Sequence, residues 1–307
     1  MMTSVSESPP RVPPTTPPVG RPRRRISGIW WLILPGLLIL TFSYFVPMLW
    51  VVRMAFNRFI GGGGIELTFS FDSFLEVFTD PYYFKVAGTT LALGCWVAAL
   101  TIVVAYPLSL FLARTTSKYK ALLTMFAIAP MLVSSVARTY GWMVVLGNQG
   151  LINTVLGGLG LTDRPIQLSN NFTGVVIALV QIFLPYAVLA MSSGFGRLNT
   201  DLEQAAASLG ANRITRFVRI TLPLTLPGVL TAALLVFVLT ISAYVTPRLI
   251  GGGRVFVLAA EIYDQATNQL NWPLAAALSI VLIVIFGVAI SLYQILQKRV
   301  ERRMSGL

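Results

Sequence analysis

The stretch Asp201-Leu-Glu-Gln-Ala-Ala-Ala-Ser-Leu-Gly210 continues as Ala-Asn-Arg-Ile-Thr-Arg-Phe-Val-Arg-Ile220 and Thr-Leu-Pro223-Leu-Thr-Leu-Pro227-Gly228. Thr200 or Asp201 suits a helix N-cap, and acids in the first turn meet the positive end of the helix dipole. Leu202, Ala205, Ala206 and Leu209 then share one helical face. Gly210 is placed to end that helix. A second short helix follows, with Ile214, Phe217 and Val218 on one side and Arg213, Arg216 and Arg219 spread around it. Pro223 is expected to stop it. Two short amphipathic helices therefore meet at an elbow. Its small alanine face admits close approach of another protein surface. The same pattern also suits a basic amphipathic loop lying on a membrane, held by arginine–phosphate contacts.

Outward from the elbow the chain is apolar. Of 307 residues 55% are hydrophobic and only 11% are charged, against about 25% charged in an ordinary soluble domain. A water-soluble globule of this size cannot hide so many apolar side chains. A bilayer core about 30 Å thick needs about 20 mainly apolar residues per helix. Six runs qualify, at 29–52, 86–113, 121–146, 172–195, 226–250 and 273–296. Each contains Gly or Pro, which membrane bundles tolerate. The elbow falls between the fourth and fifth runs. The reading is an all-α polytopic membrane protein with six transmembrane helices.

Several chemistries fall away. There is no histidine, so imidazole catalysis, His metal sites and imidazole proton relays are excluded. The single Cys95 lies in an apolar run, which excludes an intrachain disulfide and a cysteine-cluster metal site. The glycine runs Gly61–Gly64 and Gly251–Gly253 are not followed by Lys-Ser or Lys-Thr, so neither is a phosphate-binding P-loop. They are expected to be flexible outer turns. No Asp or Glu falls within the six runs, which weighs against a proton- or sodium-coupled carrier.

Residues 1–27 stand apart. Pro9, Pro10, Pro13, Pro14, Pro17, Pro18 and Pro22 alternate with Ser and Thr before Arg23, Arg24 and Arg25. This composition predicts a disordered cytoplasmic tail, leaving 28–307 as the transmembrane domain. The apolar run after the tail exceeds the ~7–15 residues of a signal-peptide core and reads as a retained anchor. With the N-terminus cytoplasmic, the inner segments collect Arg114, Lys118, Lys120, then Arg197, Arg213, Arg216, Arg219, and finally Lys298, Arg299, Arg302, Arg303. The acids Glu66, Asp72, Glu76, Asp80, Asp163, Glu261 and Asp264 fall outside. This positive-inside asymmetry places both termini in the cytoplasm. It accounts for the net charge of +12 without nucleic acid, which would need a basic face on a folded domain.

The order Ala205-Ala206, then Gly210, Ile220, Leu222-Pro223 resembles the EAA signature of type I ABC importer permeases. Leu226-Pro227-Gly228 is similar to that family too, and the likeness to its permease core covers about residues 86 to 295. Arg138-Thr-Tyr-Gly-Trp-Met-Val-Val-Leu-Gly147 with Gly150-Leu-Ile-Asn153 resembles, more narrowly, the spermidine/putrescine-type permeases. The resemblance implies the type I ABC importer permease fold in the inner membrane. It also implies a coupling loop at 200–223 carried by Glu203, Gln204, Ala205, Ala206, Gly210, Ile220, Leu222 and Pro223. It further implies a second permease subunit, two ATP-binding subunits that carry ATP and Mg²⁺, and an external solute-binding protein. No cofactor is expected on this chain, and it is expected to be a transport subunit rather than an enzyme. Where the family has glutamate before Ala-Ala, this chain has Gln204, with Glu203 one place earlier. Neighbouring residues point about 100° apart on a helix, so whether Glu203 substitutes stays open at this point. The solute implied is a polyamine, with an amino-acid derivative, a sugar or an anion as the competing classes.

Candidates for the solute route are few. Arg138 is the only charge well inside a run. It reads either as a pathway or gate residue, or as an anchor that snorkels outward or pairs with a loop acid. Tyr140, Trp142, Tyr186 and Tyr244 suit ammonium groups through their ring faces, or a belt at the membrane interface. Glu261 and Asp264 in the last outer loop suit a cationic solute, a docked binding protein or plain solvent. Gln181, Ser242 and Asn153 are polar, but their spacing selects none of them.

Overall fold

The structure, a computed structural model, describes residues 27–305 apart from 163, 197 and 199. The tail at 1–26 lies outside the described residues. Contacts divide the chain into two units, one ending at Leu49 and one beginning at Trp50.

Most of the first helix, α1 (Ser27–Met54), belongs to the first unit and carries Pro35 and Pro47 internally. From Ile33 to Pro47 its side chains are exposed on all sides. An all-round apolar helix of this length is a candidate membrane span.

In the second unit a short antiparallel hairpin, β1 (Arg58–Gly61) and β2 (Gly64–Glu66), turns at the first glycine run. It precedes α2 (Asp72–Thr79). The long helix α3 (Pro81–Arg114) opens with Pro81 at its first position, where the missing N–H costs nothing. The Asp80 carboxylate caps it by accepting from the Tyr82 backbone N–H at 2.8 Å.

The run 121–146 is not a straight span. It is α4 (Lys120–Ile128), a tight 3₁₀ turn at Ala129–Leu132, then α5 (Ser135–Leu146) and α6 (Leu151–Gly158). The two halves are bent by 93°. Pro130 brings no N–H, and Val133 and Ser134 are extended with ψ of 135°, so the ladder ends there. Counting this bent pair as one, there are six candidate spans among the described residues, five of them long helices.

Next come α7 (Phe172–Phe195), α8 (Thr200–Ser208) and α9 (Arg213–Arg216). A wide π turn at Phe217–Thr221 then leads into α10 (Leu222–Ile241). Pro223 does not stop the helix, contrary to the sequence expectation. The widened turn lets the Leu222 N–H bond the Phe217 carbonyl, and Pro223 falls in the first turn of the new segment, where proline is tolerated. The fifth run also ends early, at Ile241. A separate short helix, α11 (Val245–Ile250), follows, then α12 (Leu258–Thr267) and α13 (Trp272–Ser305).

The core is the packed trio α3, α7 and α10, with Leu93, Val97, Ala178, Leu179 and Val236 buried in it. A second cluster joins α12 and α13 to the start of α3 through Val86, Leu258, Ala277 and Leu278. The glycine run at 251–253 is not a loose turn. A Cβ on Gly252 would fall 2.1 Å from the Asn170 side chain, and the Asn170 N–H bonds the Ile250 carbonyl at 2.8 Å.

Candidate functional site: a stapled elbow and an acidic cavity

The elbow forms as the pattern requires. Gly210 has φ +83°, the left-handed conformation that glycine adopts without strain. Its N–H bonds the Ala207 carbonyl, and the Ala211 N–H reaches back to Ala206, both at 3.0 Å. This pair is a Schellman cap, which satisfies the last carbonyls of α8. Asn212 opens the next turn by accepting from the Thr215 N–H at 2.7 Å. Gln204, Ala205, Leu209 and Gly210 are exposed, and Ala206 is half-buried. Leu202, Leu209, Ile214 and Val218 are also exposed. The elbow thus presents an apolar, small-residue surface and keeps little of it for its own bundle. Ile220, Leu222 and Pro223 are half-buried at the root of α10.

Glu203 behaves differently from Gln204. Its carboxylate faces the bundle, accepting from Arg114 at the end of α3 at 2.5 Å and from the Thr221 hydroxyl at 2.6 Å. Its side chain is 19% exposed. Glu203 therefore faces its own bundle, whereas Gln204 is exposed.

At the opposite end of the bundle a cavity of about 580 Å³ lies between the start of α3 and α12. Tyr82, Tyr83, Arg248, Phe256, Glu261, Asp264 and Gln265 help to line it. Glu261 is 8% exposed. Its carboxylate accepts from the Tyr82 hydroxyl at 2.7 Å and from the Gln265 amide at 3.0 Å. Among the described residues no cation pairs with it. Asp264 is paired with Arg248 at 3.6 Å. Tyr244 stacks on Tyr263 with ring centres 5.0 Å apart, and the Arg248 guanidinium lies over Tyr263.

Arg138 takes a third course. Among the described residues it meets no loop acid: it donates to the Ile182 carbonyl of α7 at 3.1 Å, and its Nε is buried without a partner there. One turn on, the Trp142 indole N–H donates to Gln181 at 3.0 Å. Both ties meet the turn of α7 that Pro185 interrupts. Tyr186 packs against Phe183 in that region, whereas Tyr140 is exposed. The candidates thus divide, with Arg138 and Trp142 at mid-bundle and Tyr244, Glu261 and Asp264 at the far end.

Sequence reasoning passed over Arg114, Thr221 and Tyr82, whose partners lie far along the chain. It named Asn153 as polar but did not select it. That buried amide donates to the Gly147 and Ile166 carbonyls and accepts from the Ile166 N–H. Among the described residues there is no cluster of metal-ligating side chains.

Comparison with known proteins gives this geometry its setting. A family profile described as "Binding-protein-dependent transport system inner membrane component" matches residues 105–306. The spermidine/putrescine transport system permease protein PotB of Escherichia coli K12 is 31% identical over 280 residues, covering 90% of this chain and 98% of that protein. PotB of Haemophilus influenzae is 30% identical over 265 residues, covering 86% and 92%. The fold resembles a chain in the crystal structure of a bacterial ABC transporter involved in the import of the acidic polysaccharide alginate, with a TM-score of 0.68 at 18% identity, covering 89% of this chain and 96% of that one. The chain is a multi-pass, non-enzymatic membrane subunit and belongs to the family of binding-protein-dependent transport system inner membrane components, the permease subunits of ABC importers.

Proposed function

We propose that this permease passes a small polycationic solute of the polyamine class, entering past the cavity at the far end of the bundle. The observation that carries the proposal is Glu261, a buried carboxylate on the wall of a cavity with two tyrosines, where the one lining cation, Arg248, is paired with Asp264 and Glu261 has no cationic partner among the described residues. Burying an unpaired charge is costly, and an incoming ammonium group offsets that cost. The ring faces of Tyr82 and Phe256 favour the same guest. The identity to spermidine/putrescine permeases supports the same class. Arg138 would repel such a solute if it faced the route. Its bond to the Ile182 carbonyl suits a tie between α5 and α7 instead.

In this reading the elbow lies in the cytoplasm with both termini, and the acidic cavity faces outward. One six-span bundle offers half a pathway, so a second permease completes it. Two ATP-hydrolysing subunits dock against the exposed surface of α8 and α9, and ATP with Mg²⁺ is held by them. An external binding protein delivers the solute. Closure of the ATPases moves the elbows, and the paired bundles rock between outward- and inward-open states.

The test uses the whole importer with its binding protein in proteoliposomes. ATP-dependent uptake of radiolabelled spermidine or putrescine, in preference to a sugar, a neutral amino acid or an organic anion, is the expected result. Preferred uptake of an uncharged or anionic solute would sink the proposal. So would uptake that persists when the partner ATPases are inactivated.

A further inference from the structure

We propose that Glu203 is a positioning residue that clamps the coupling helix α8 to the roots of α3 and α10, so that a displacement of the elbow is passed to both helices together. The inference rests on the reading that the elbow meets the motor subunits.

The geometry joins three elements at one oxygen. Glu203 Oε1 accepts from Arg114 Nη2 at 2.5 Å and from Thr221 Oγ1 at 2.6 Å. The same guanidinium nitrogen also reaches Thr221 Oγ1 at 3.3 Å. Arg114 lies in the last turn of α3, where a cation complements the helix dipole. Thr221 is buried and closes the π turn before α10. A π turn adds one residue to the helical register, which changes the direction in which Thr221 points relative to an uninterrupted helix.

The clamp continues into the core. The Thr225 hydroxyl donates to the Thr221 carbonyl at 2.8 Å. The Tyr106 and Thr225 hydroxyls share a hydrogen bond at 3.0 Å. The Tyr106 ring packs edge-on against Phe195, at the end of α7, and against Phe217 in the π turn. On its other side, α8 is held through the Glu203 carbonyl, which accepts from Arg216 at 3.5 Å. The elbow is therefore tied by charge to α3, by a hydroxyl to α10 and by its own arginine to itself, while Gln204 and Ala205 remain exposed.

An exposed ion pair contributes little by itself, but Arg114 is 42% exposed and Glu203 only 19%, and a buried hydroxyl shares the acceptor. Without Glu203 the elbow keeps its Schellman cap and its outer surface. It loses its link to α3. The motor then still binds and turns over, and less of its stroke reaches the bundle.

The experiment uses the complete importer in proteoliposomes, with a photo-crosslinker at Ala206 to report motor docking. Uptake and ATP hydrolysis are read for the parent protein, Glu203→Gln, Arg114→Gln and the reversed pair Glu203→Arg with Arg114→Glu. The conservative Glu203→Asp and Arg114→Lys serve as controls for folding. For Glu203→Gln we expect the crosslink and ATP hydrolysis to persist while solute moved per ATP falls about tenfold, the size of a contacting pair's coupling. The reversed pair should recover most of that loss. An unchanged ratio in Glu203→Gln overturns the clamp, as does a reversed pair no better than the single changes. Loss of the crosslink in Glu203→Gln, while Arg114→Gln keeps it, would make Glu203 a motor contact and also overturn the proposal. If the parent protein gives no crosslink at Ala206, the docking reading fails and the clamp's role fails with it, a result distinct from the others.

Discussion

Gly194 of α7 and Gly228 of α10 meet backbone to backbone, so that a Cβ on Gly194 would lie 2.6 Å from the Gly228 Cα. The segment carrying the elbow leaves the bundle and returns to it across this contact. A methyl group on Gly194 cannot be accommodated by a side-chain shift, because the obstacle is backbone. From Gly228 the corresponding distance is 3.1 Å, which a small helix displacement relieves. Gly194→Ala should therefore destabilise the subunit by roughly 1–3 kcal/mol, the usual cost of overpacking, and Gly228→Ala by less. Thermal melting of the purified subunit in detergent measures the order. Equal melting points for the two variants would refute the contact.

Gly210 makes a contrasting case. Nothing lies within 4 Å of where its Cβ would be, so side-chain bulk is not the obstacle. The constraint is φ +83°, which costs an ordinary residue about 1–2 kcal/mol and asparagine less. Gly210→Ala should lower ATP-dependent uptake with membrane abundance preserved, and Gly210→Asn should lower it less. Quantitative immunoblotting beside uptake separates the two effects. Full activity in Gly210→Ala would remove the elbow's conformational requirement.

Glu261 supplies a test of the cavity. Glu261→Gln keeps the shape and the Gln265 neighbour but removes the charge. Uptake of a polyamine should then show a KM raised by on the order of tenfold, the loss of one charge-assisted contact of about 1.5 kcal/mol. Tyr82→Phe removes one of two donors to the carboxylate and should raise KM by a smaller factor. Initial-rate measurements over a range of solute concentrations decide. An unchanged KM in Glu261→Gln would move the solute route elsewhere.

The elbow was legible because its signals are local. A four-residue spacing of small and apolar side chains and one glycine suffice to write a helix, a cap and a turn. The six apolar runs were legible for the same reason. Pro223 misled because the helix widens over the five residues Phe217–Thr221 and carries the proline in the first turn of α10, where it is tolerated. The break at Val133 and Ser134 was hidden inside a run whose composition suits a continuous span. Glu261 could be singled out by charge alone, but its partner Tyr82 stands 179 positions away, and Arg114 stands 89 from Glu203. Such pairs exist only once the bundle has closed, and no spacing rule contains them.

Arg138 and Trp142 belong to that hidden class, and their tie gives a last prediction. They stand one turn apart on α5 and grip adjacent residues of α7, Ile182 and Gln181. Two bonds across one helix contact back each other up, so either alone should hold it. Arg138→Leu and Trp142→Phe should each lower stability by about 1 kcal/mol, a typical hydrogen-bond contribution. The double variant should lose more than their sum, because contacting residues that share a role are not additive. A tie also predicts that Arg138→Leu leaves the ratio of KM values for a divalent and a trivalent amine as in the parent. A charge facing the route would repel the trivalent amine more strongly, so its removal would change that ratio. A melting series for the four proteins, read beside those two KM values, decides between a helix tie and a gate.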